Sequence, residues 1–116
     1  MAETRTYATQ QHCPVARTLD ALGDRWTMLI LRDLSWGRMK FSALLESLEG
    51  ISPNVLSERL KKLEQIGMVN RAFYSDHPPR AEYKLSQKGQ GFVPVLIAMR
   101  AFGEQWEPER WNARRA

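Results

Sequence analysis

The sequence predicts a single, mostly helical α+β domain. Its 116 residues suffice for one modest hydrophobic core. Hydrophobic residues make up 43% and charged residues 26% of the chain, as is typical of folded soluble proteins. Apolar residues recur at helical spacing along most of the chain, and two short strand-like stretches flank a turn with two prolines. Helices therefore dominate, with one two-stranded hairpin.

Composition narrows the class of protein. Lys and Arg total 17 against 13 acidic residues, and the resulting charge of +4 favours a polyanionic partner without proving one. The longest strongly apolar run, residues 92–99, is far shorter than the roughly 20 residues that cross a bilayer. The first residues lack the apolar core of a secretory signal, and the single cysteine cannot form an internal disulfide. We therefore expect a cytoplasmic protein that makes no membrane contact.

The first two helices have clear start and stop signals. Pro14 suits the first turn of a helix, with Cys13 as its cap and an end near Gly23. Asp24 is a good cap for a second helix that closes at residues 36–37. The inward apolar stripe of this second helix comprises Trp26, Leu29, Ile30 and Leu34.

A third and a fourth helix follow. Residues 40–48 predict a short helix with an apolar face, and residues 49–50 turn the chain. Ser52 caps the fourth helix, Pro53 occupies its first position, and Gly67 can end it in the left-handed conformation. Its leucines face the core, which leaves an outer face that is polar; the leucines are Leu56, Leu60 and Leu63.

The rest of the chain predicts a hairpin and a terminal helix. Residues 68–74 and 81–85 alternate as strands, and the six residues between them form a stiff, exposed turn. Ser86 caps a last apolar-faced helix. Pro94 is unfavourable inside that helix, so it marks either a kink or a later true start.

This order of elements is that of a winged helix-turn-helix domain with a two-stranded wing. The third helix and the following turn hold the fourth helix across the core, with its polar face outward. An α-helix fits the major groove of B-DNA, where the residues near its N-terminus reach base edges. The pattern therefore predicts that the fourth helix reads DNA.

Several sequence segments also carry a family resemblance. They are CPV at Cys13, TLDALGDRWTMLILRDL from Thr18, KFSALLESLEGISPNVLSERLKKLEQIGMVNR from Lys40 and HPPRAEYKLSQKG from His77. From about residue 13 to residue 106, the chain resembles the HxlR-type bacterial regulators, which are related to MarR-like repressors. This resemblance divides the chain into a flexible arm (1–12), the winged domain (13–106) and a basic tail (107–116).

The resemblance implies a homodimeric transcription factor, a repressor or an activator, that binds double-stranded DNA at an inverted repeat. The fourth helix would enter the major groove, the hairpin would lie beside it, and the terminal helices would pair the subunits. For that dimer interface we predict Val93, Leu96, Ile97, Phe102 and Trp106.

The expected DNA-binding residues lie mainly on the fourth helix. There, the set nearest base edges is Asn54, Ser57, Glu58 and Lys61, and the set nearer phosphates is Ser52, Arg59 and Lys62. Pro53, at the first helical position, belongs to the same expected DNA-binding surface. In the turn, Arg80 is expected to meet DNA, because narrow minor grooves attract arginine, and His77 is a candidate for the phosphates. Arg38 and Lys40 before the third helix are further candidates for the phosphates. A solvated helix face is the alternative, with Arg80 pairing with Glu82 or Asp76 across the hairpin.

Cys13 has two interpretations. At a helix N-terminus the thiolate is favoured, which would make Cys13 a redox or electrophile sensor, as in some HxlR-type regulators. The alternative is a small, partly buried cap beside a dimer interface. Trp26, Trp36, Trp106 and Trp111 could line a pocket for an effector of unknown identity, although core and dimer packing explains at least Trp26 and Trp106.

Other functional classes are less well supported. The chain has no phosphate-binding glycine loop, no second cysteine and no histidine pair at metal-ligand spacing, so we expect no enzyme, no cofactor and no metal site. The remaining alternative is a winged helix that docks a protein partner without reading DNA sequence.

Overall fold

The computed structural model describes residues 10–37, 40–76 and 79–107. These residues form six helices and one antiparallel hairpin, and they confirm the predicted α+β winged helix-turn-helix class. Most of the predicted N-terminal arm and C-terminal tail lies outside the described residues. In chain order, the elements are α1 (Pro14–Leu22), α2 (Arg25–Ser35), α3 (Phe41–Ser47), α4 (Pro53–Gln65), β1 (Val69–Asp76), β2 (Pro79–Leu85), α5 (Gln87–Gln90) and α6 (Val93–Trp106).

The core lies between α2, α3 and α4, with the start of β1 against it. The three predicted leucines of α4 are all at most 1% exposed, so the predicted rotation of that helix is confirmed. Burying such side chains stabilises the fold by roughly 1.5–3 kcal/mol each. The other residues of this core include Leu22, Ile30, Leu31, Leu34, Leu44, Leu48, Ile51, Met68, Val69 and Phe92.

Side-chain caps fix where the helices begin. Asp24 accepts a hydrogen bond from the Thr27 amide at 3.0 Å, and Ser52 accepts one from the Val55 amide at 3.1 Å. Each cap satisfies a backbone N–H that has no partner inside its helix. Both predicted starts are therefore confirmed.

The C-terminal end of α4 is fixed by contacts from the chain after the hairpin. Gly67 adopts a φ of +82°, the left-handed conformation predicted for it. The Lys88 ammonium donates to the Ile66 carbonyl at 2.8 Å, and the Ser86 hydroxyl donates to the Gly67 carbonyl. These bonds satisfy carbonyls that the helix leaves free, so α4 is held at both ends.

The hairpin is longer than predicted. Pairing continues past an irregularity between Phe73 and Ser75 to the pairs Ser75↔Arg80 and Asp76↔Pro79, which the sequence predicted to lie in the turn. Pro79 is tolerated because it is the first residue of its strand. A separate bridge joins Lys40 to Glu82, so the start of α3 is attached to β2.

After Ser86 the structure has two helices, where the sequence predicted one last helix with Pro94 at either a kink or a later true start. Ser86 caps only the short α5, by accepting from the Gly89 amide at 3.1 Å, and α6 begins afresh at Val93. Pro94 therefore sits in the first turn of α6, where its missing N–H costs no helical hydrogen bond. Of the two interpretations of Pro94, the later start is the one found.

Candidate nucleic-acid interface

The outer face of α4 gathers most of the predicted DNA-binding residues. Because the leucines fix the rotation of the helix, the opposite face points to solvent. The side chains of Arg59 and Lys62 are half-buried at the margins of this face. The exposed residues of α4 and its cap are Ser52, Pro53, Asn54, Ser57, Glu58, Lys61 and Gln65.

Arg59 has partners inside the protein. Its Nε lies 3.2 Å from Oδ1 of Asp24, the cap of α2, and its Nη1 donates to the carboxylate of Glu58. Arg59 thereby ties α4 to the start of α2 across 35 positions of sequence. Sequence reasoning identified Asp24 as a cap but had no local signal for this pairing, so the structural role of Arg59 was missed.

Asp24 is held as a carboxylate by these neighbours. Burial of the group favours its neutral form, but hydrogen bonds from the Thr27 hydroxyl and amide and from Arg59 outweigh that effect. The pKa of Asp24 is therefore lowered from its ordinary value of 3.8. The ion pair with Arg59 thus persists at neutral pH.

The hairpin lies beside α4 and presents further basic side chains. Arg80 is exposed on β2, and Lys40 is exposed at the bridge to Glu82. The Lys40 Nζ lies 4.9 Å from the centre of the Tyr74 ring on β1. The predicted positions Arg38 and His77 lie outside the described residues.

A cleft of about 470 Å³ runs between α3, α4 and the hairpin. It brings together Lys40, Ser57 and Arg80, which were predicted to bind DNA. Other residues that line it were missed, because strand alternation alone does not show which face of a hairpin turns toward a helix. These are Phe41, Ser42, Arg71, Phe73, Tyr74, Ala81 and Tyr83.

Cys13 occupies the predicted cap position of α1. Its backbone is extended there, with φ −90° and ψ 119°, and its side chain is half-buried. The thiol makes no capping hydrogen bond to the helix, so the sulfur does not serve as a side-chain cap. Its position at the start of the helix is confirmed, and its reactivity remains a prediction.

Helix α6 carries an exposed apolar stripe. Phe102 and Trp106 from the predicted dimer set are 62% and 61% exposed, and Val95 and Met99 fall on the same side at helical spacing. Ile97 is also exposed, whereas Leu96 packs partly against the core and Val93 is half-buried. Val95 and Met99 were not in the predicted set, although their spacing from Phe102 and Trp106 was visible in the sequence.

A groove of about 390 Å³ separates α2 from α6. Trp36, Val93, Leu96 and Ile97 are among its lining residues. Trp26, in contrast, packs against the core, and Trp111 lies outside the described residues. Within the described part of the chain, no helix has the length and apolar character needed to span a bilayer.

The family model described as HxlR-like helix-turn-helix matches residues 21–111. The chain belongs to the HxlR-like helix-turn-helix family. The match includes the capped start of α2, all of α4 and the hairpin, which are the elements that form this interface.

Relatives of this HxlR-like chain agree with the assignment. An uncharacterized HTH-type transcriptional regulator of Synechocystis sp. is 40% identical over 100 residues, which are 86% of this chain and 74% of that protein. The redox regulator HypR, in its oxidized form, superimposes with a TM-score of 0.74 at 31% identity, over 80% of this chain and 96% of HypR. Diamide-treated YodB of Bacillus subtilis gives a TM-score of 0.65 at 35% identity, over 81% and 94% of the two chains.

These findings establish the class of function. The family and the relatives are those of DNA-binding helix-turn-helix transcription regulators, so that prediction is confirmed for the HxlR-like chain. None of these matches indicates a catalytic family.

Proposed function

We propose that this HxlR-like protein is a cytoplasmic, homodimeric repressor that binds an inverted-repeat operator. The observation that carries the proposal is the rigidly held α4, which exposes a continuous polar face beside a basic hairpin. A helix presented in this way fits the major groove, and the hairpin is then close to the adjacent backbone.

The residues of α4 and its cap divide into three roles. Asn54 and Ser57 lie near the N-terminus of the helix, where side chains reach base edges, and Lys61 and Glu58 follow on the same face. Ser52, Pro53 and Lys62 lie nearer the phosphates. Arg59 contributes chiefly by holding α4 in place, because its guanidinium already pairs with two carboxylates.

A dimer follows from the geometry of inverted repeats. Two recognition helices must lie about 34 Å apart to read half-sites separated by one helical turn. The exposed apolar stripe of α6 is the surface that supports subunit pairing, because apolar side chains of this size gain stability when removed from water.

Repression requires fewer binding surfaces on the protein than activation does. A bound dimer that overlaps a promoter excludes the transcription machinery without a further contact. Activation would require a second binding surface for that machinery.

Selection of DNA from genomic fragments by the purified protein tests this function. We expect enrichment of an inverted repeat, with affinity that falls log-linearly as salt rises because bound phosphates release their counterions. Selection that enriches no repeated sequence, or an affinity indifferent to salt, would favour a winged helix that docks a protein partner.

We also propose that Cys13 makes operator binding sensitive to oxidants. The thiol is half-buried, so it is not sealed in the core, and two similar solved structures are of a redox regulator and of diamide-treated YodB. Because the chain has one cysteine, peroxide would couple two thiols of different subunits, forming one disulfide and two molecules of water.

Mild peroxide treatment of the wild type and of Cys13→Ser tests the sensor role. Operator affinity of the wild type should change on oxidation and recover with a thiol reductant, while that of Cys13→Ser should stay constant. Equal responses of the two proteins would show that Cys13 is a structural residue only.

A further inference from the structure

The cleft between α3, α4 and the hairpin has the chemistry of an anion site. Three cationic side chains, Lys40, Arg71 and Arg80, line it, and none of its described lining residues is acidic. Among the side chains that the structure describes, which exclude that of Asp76, no salt bridge involves Lys40 or Arg80. A concave surface lined by one sign of charge concentrates the field and attracts ions of the other sign.

Lys40 is positioned before any ligand arrives. Its backbone pairs with Glu82 of β2, which fixes the start of its side chain. At the other end, the ammonium lies 4.9 Å from the centre of the Tyr74 ring, within the range of a cation–π contact. Lys40 therefore loses less conformational entropy on binding an anion than a lysine without these contacts would lose.

Arg71 is anchored at the cleft in a similar way. Its Nε lies 3.5 Å from Oε1 of Glu64 on α4, and it pairs with Tyr83 of β2 across the hairpin. Burial raises the pKa of Tyr83, and the nearby Arg71 only partly offsets this, so the phenol stays neutral at pH 7. A guanidinium has five N–H donors, and the side chain of Arg71 is still 45% exposed, so donors remain available to a ligand.

Two hydroxyl groups complete the lining. Ser42 on α3 and Ser57 on α4 are both exposed at the cleft, and each can donate to an anionic oxygen. Ser57 also lies on the face of α4 that carries the proposed base-reading residues. An anion in the cleft would therefore lie next to the bases that α4 reads.

We propose that this cleft binds one phosphodiester of the operator backbone, through Lys40, Arg80 and Arg71 with the hydroxyls of Ser42 and Ser57. The inference rests on the proposed function, and it assigns the contact with the DNA backbone to this cleft. It gives Arg71 and Ser42 a role in binding DNA, and it gives Tyr74 a role in positioning Lys40. Because α4 and the hairpin share this phosphate, the site sets the register of the helix on the duplex.

Neutralising single phosphates of the operator tests the site. Methylphosphonate is placed at one backbone position at a time, and the affinity is measured for the wild type, Lys40→Gln, Arg80→Gln and Lys84→Gln. Lys84 is the matched control, because it is an exposed lysine on β2 that does not line the cleft. Thermal unfolding of each variant shows that it is folded.

In each half-site, we expect a large effect of methylphosphonate on operator affinity at one backbone position. Neutralising the phosphate at that position should weaken wild-type and Lys84→Gln binding by about tenfold, the size of one charge-assisted contact. Lys40→Gln should bind unmodified operator about tenfold more weakly, respond little to methylphosphonate at that same position, and show a salt slope smaller by about one per subunit. Arg80→Gln should behave in the same way.

Two outcomes overturn the site while leaving the proposed function intact. In the first, the wild type binds the operator specifically, but the losses of binding free energy caused by Lys40→Gln and by methylphosphonate are additive at every backbone position. In the second, inorganic phosphate at constant ionic strength binds the wild type but not Lys40→Gln and leaves the affinity for the operator unchanged, which assigns the cleft to free phosphate. If the wild type shows no sequence-specific binding to any DNA, both this inference and the proposed function fail.

Discussion

Arg59 illustrates, at the scale of single residues, how a basic side chain on α4, the proposed recognition helix, serves the fold. It is 27% exposed, and its partner Asp24 is 21% exposed, so their ion pair is largely sheltered from solvent. Asp24 also caps α2. The pair therefore links the start of one helix to the middle of another and limits how far α4 can rotate or tilt.

Replacing Arg59 with Gln should lower the free energy of unfolding by about 1 kcal/mol, the upper end of the range for exposed ion pairs, because this pair is mostly covered. Chemical denaturation of Arg59→Gln, Asp24→Asn and the double variant measures the coupling. The matched control is Arg100, whose pair with Glu104 on α6 is well exposed. Coupling no larger for Arg59 than for Arg100 would contradict the role described.

The lowered pKa of Asp24 predicts how stability depends on pH. The unfolded chain binds this proton more tightly than the folded protein, so acid favours unfolding. The stabilisation is fully present above the ordinary value of 3.8 and is lost as pH falls through the lower folded-state pKa. Denaturation between pH 5 and pH 2 should show a steeper loss for the wild type than for Asp24→Asn, and parallel curves would refute the prediction.

At the scale of elements, the sequence is most informative where local chemistry decides the structure. Ser52, Pro53 and Gly67 mark the ends of α4 because capping, a fixed φ and a left-handed turn depend on residues close in sequence. The leucine spacing sets its buried face in the same way. The candidate reading face of α4 could therefore be predicted from the sequence almost in full.

Features that depend on distant partners could not be predicted. The Lys40–Glu82 bridge joins residues that are neighbours only after the hairpin has packed against α3. Arg71 joins the cleft because the hairpin packs with this face toward α4, where Arg71 contacts Glu64. The sequence therefore indicated basic residues near the wing but not the cleft that they form.

Gly89 of α5 is a position where packing allows no side chain. A Cβ there would lie 2.2 Å from the Met68 carbonyl oxygen, at the junction of α4 and β1. Gly89→Ala should lower the free energy of unfolding by about 1–3 kcal/mol, as overpacking does. Gln90→Ala, at the exposed neighbouring position, should change it by less than about 0.5 kcal/mol. Equal unfolding midpoints for the two variants would contradict this packing.

At the scale of the whole molecule, the apolar stripe of α6 remains exposed to solvent in a single subunit. Val95, Met99, Phe102 and Trp106 all remain exposed on one side of the helix. A second subunit would remove this surface from water. The same pairing would set the distance between two α4 helices.

Phe102→Glu and Trp106→Glu should each convert the proposed dimer to a monomer, because each would place a charge in the proposed apolar interface. Sedimentation equilibrium at micromolar concentration measures the mass, and operator titration should show a large loss of affinity. Gln105→Glu changes charge on α6 at an exposed position outside the stripe and should leave the dimer intact. A wild type that is monomeric would disprove the dimer directly.

The central claim is that the outer face of α4 reads base sequence, and the specificity ratio of Asn54→Ala tests it most directly. Affinities for the selected operator and for a scrambled duplex are measured at one salt concentration for the wild type, Asn54→Ala and Asn70→Ala. Asn70 is the matched control, an exposed asparagine on β1.

Asn54→Ala should lose about 1–3 kcal/mol of discrimination at one base pair of each half-site, with its affinity for the scrambled duplex unchanged. Asn70→Ala should keep the wild-type ratio. If Asn54→Ala also keeps that ratio, or if its affinities for both duplexes fall equally, Asn54 does not read the operator and the assigned reading face of α4 is wrong.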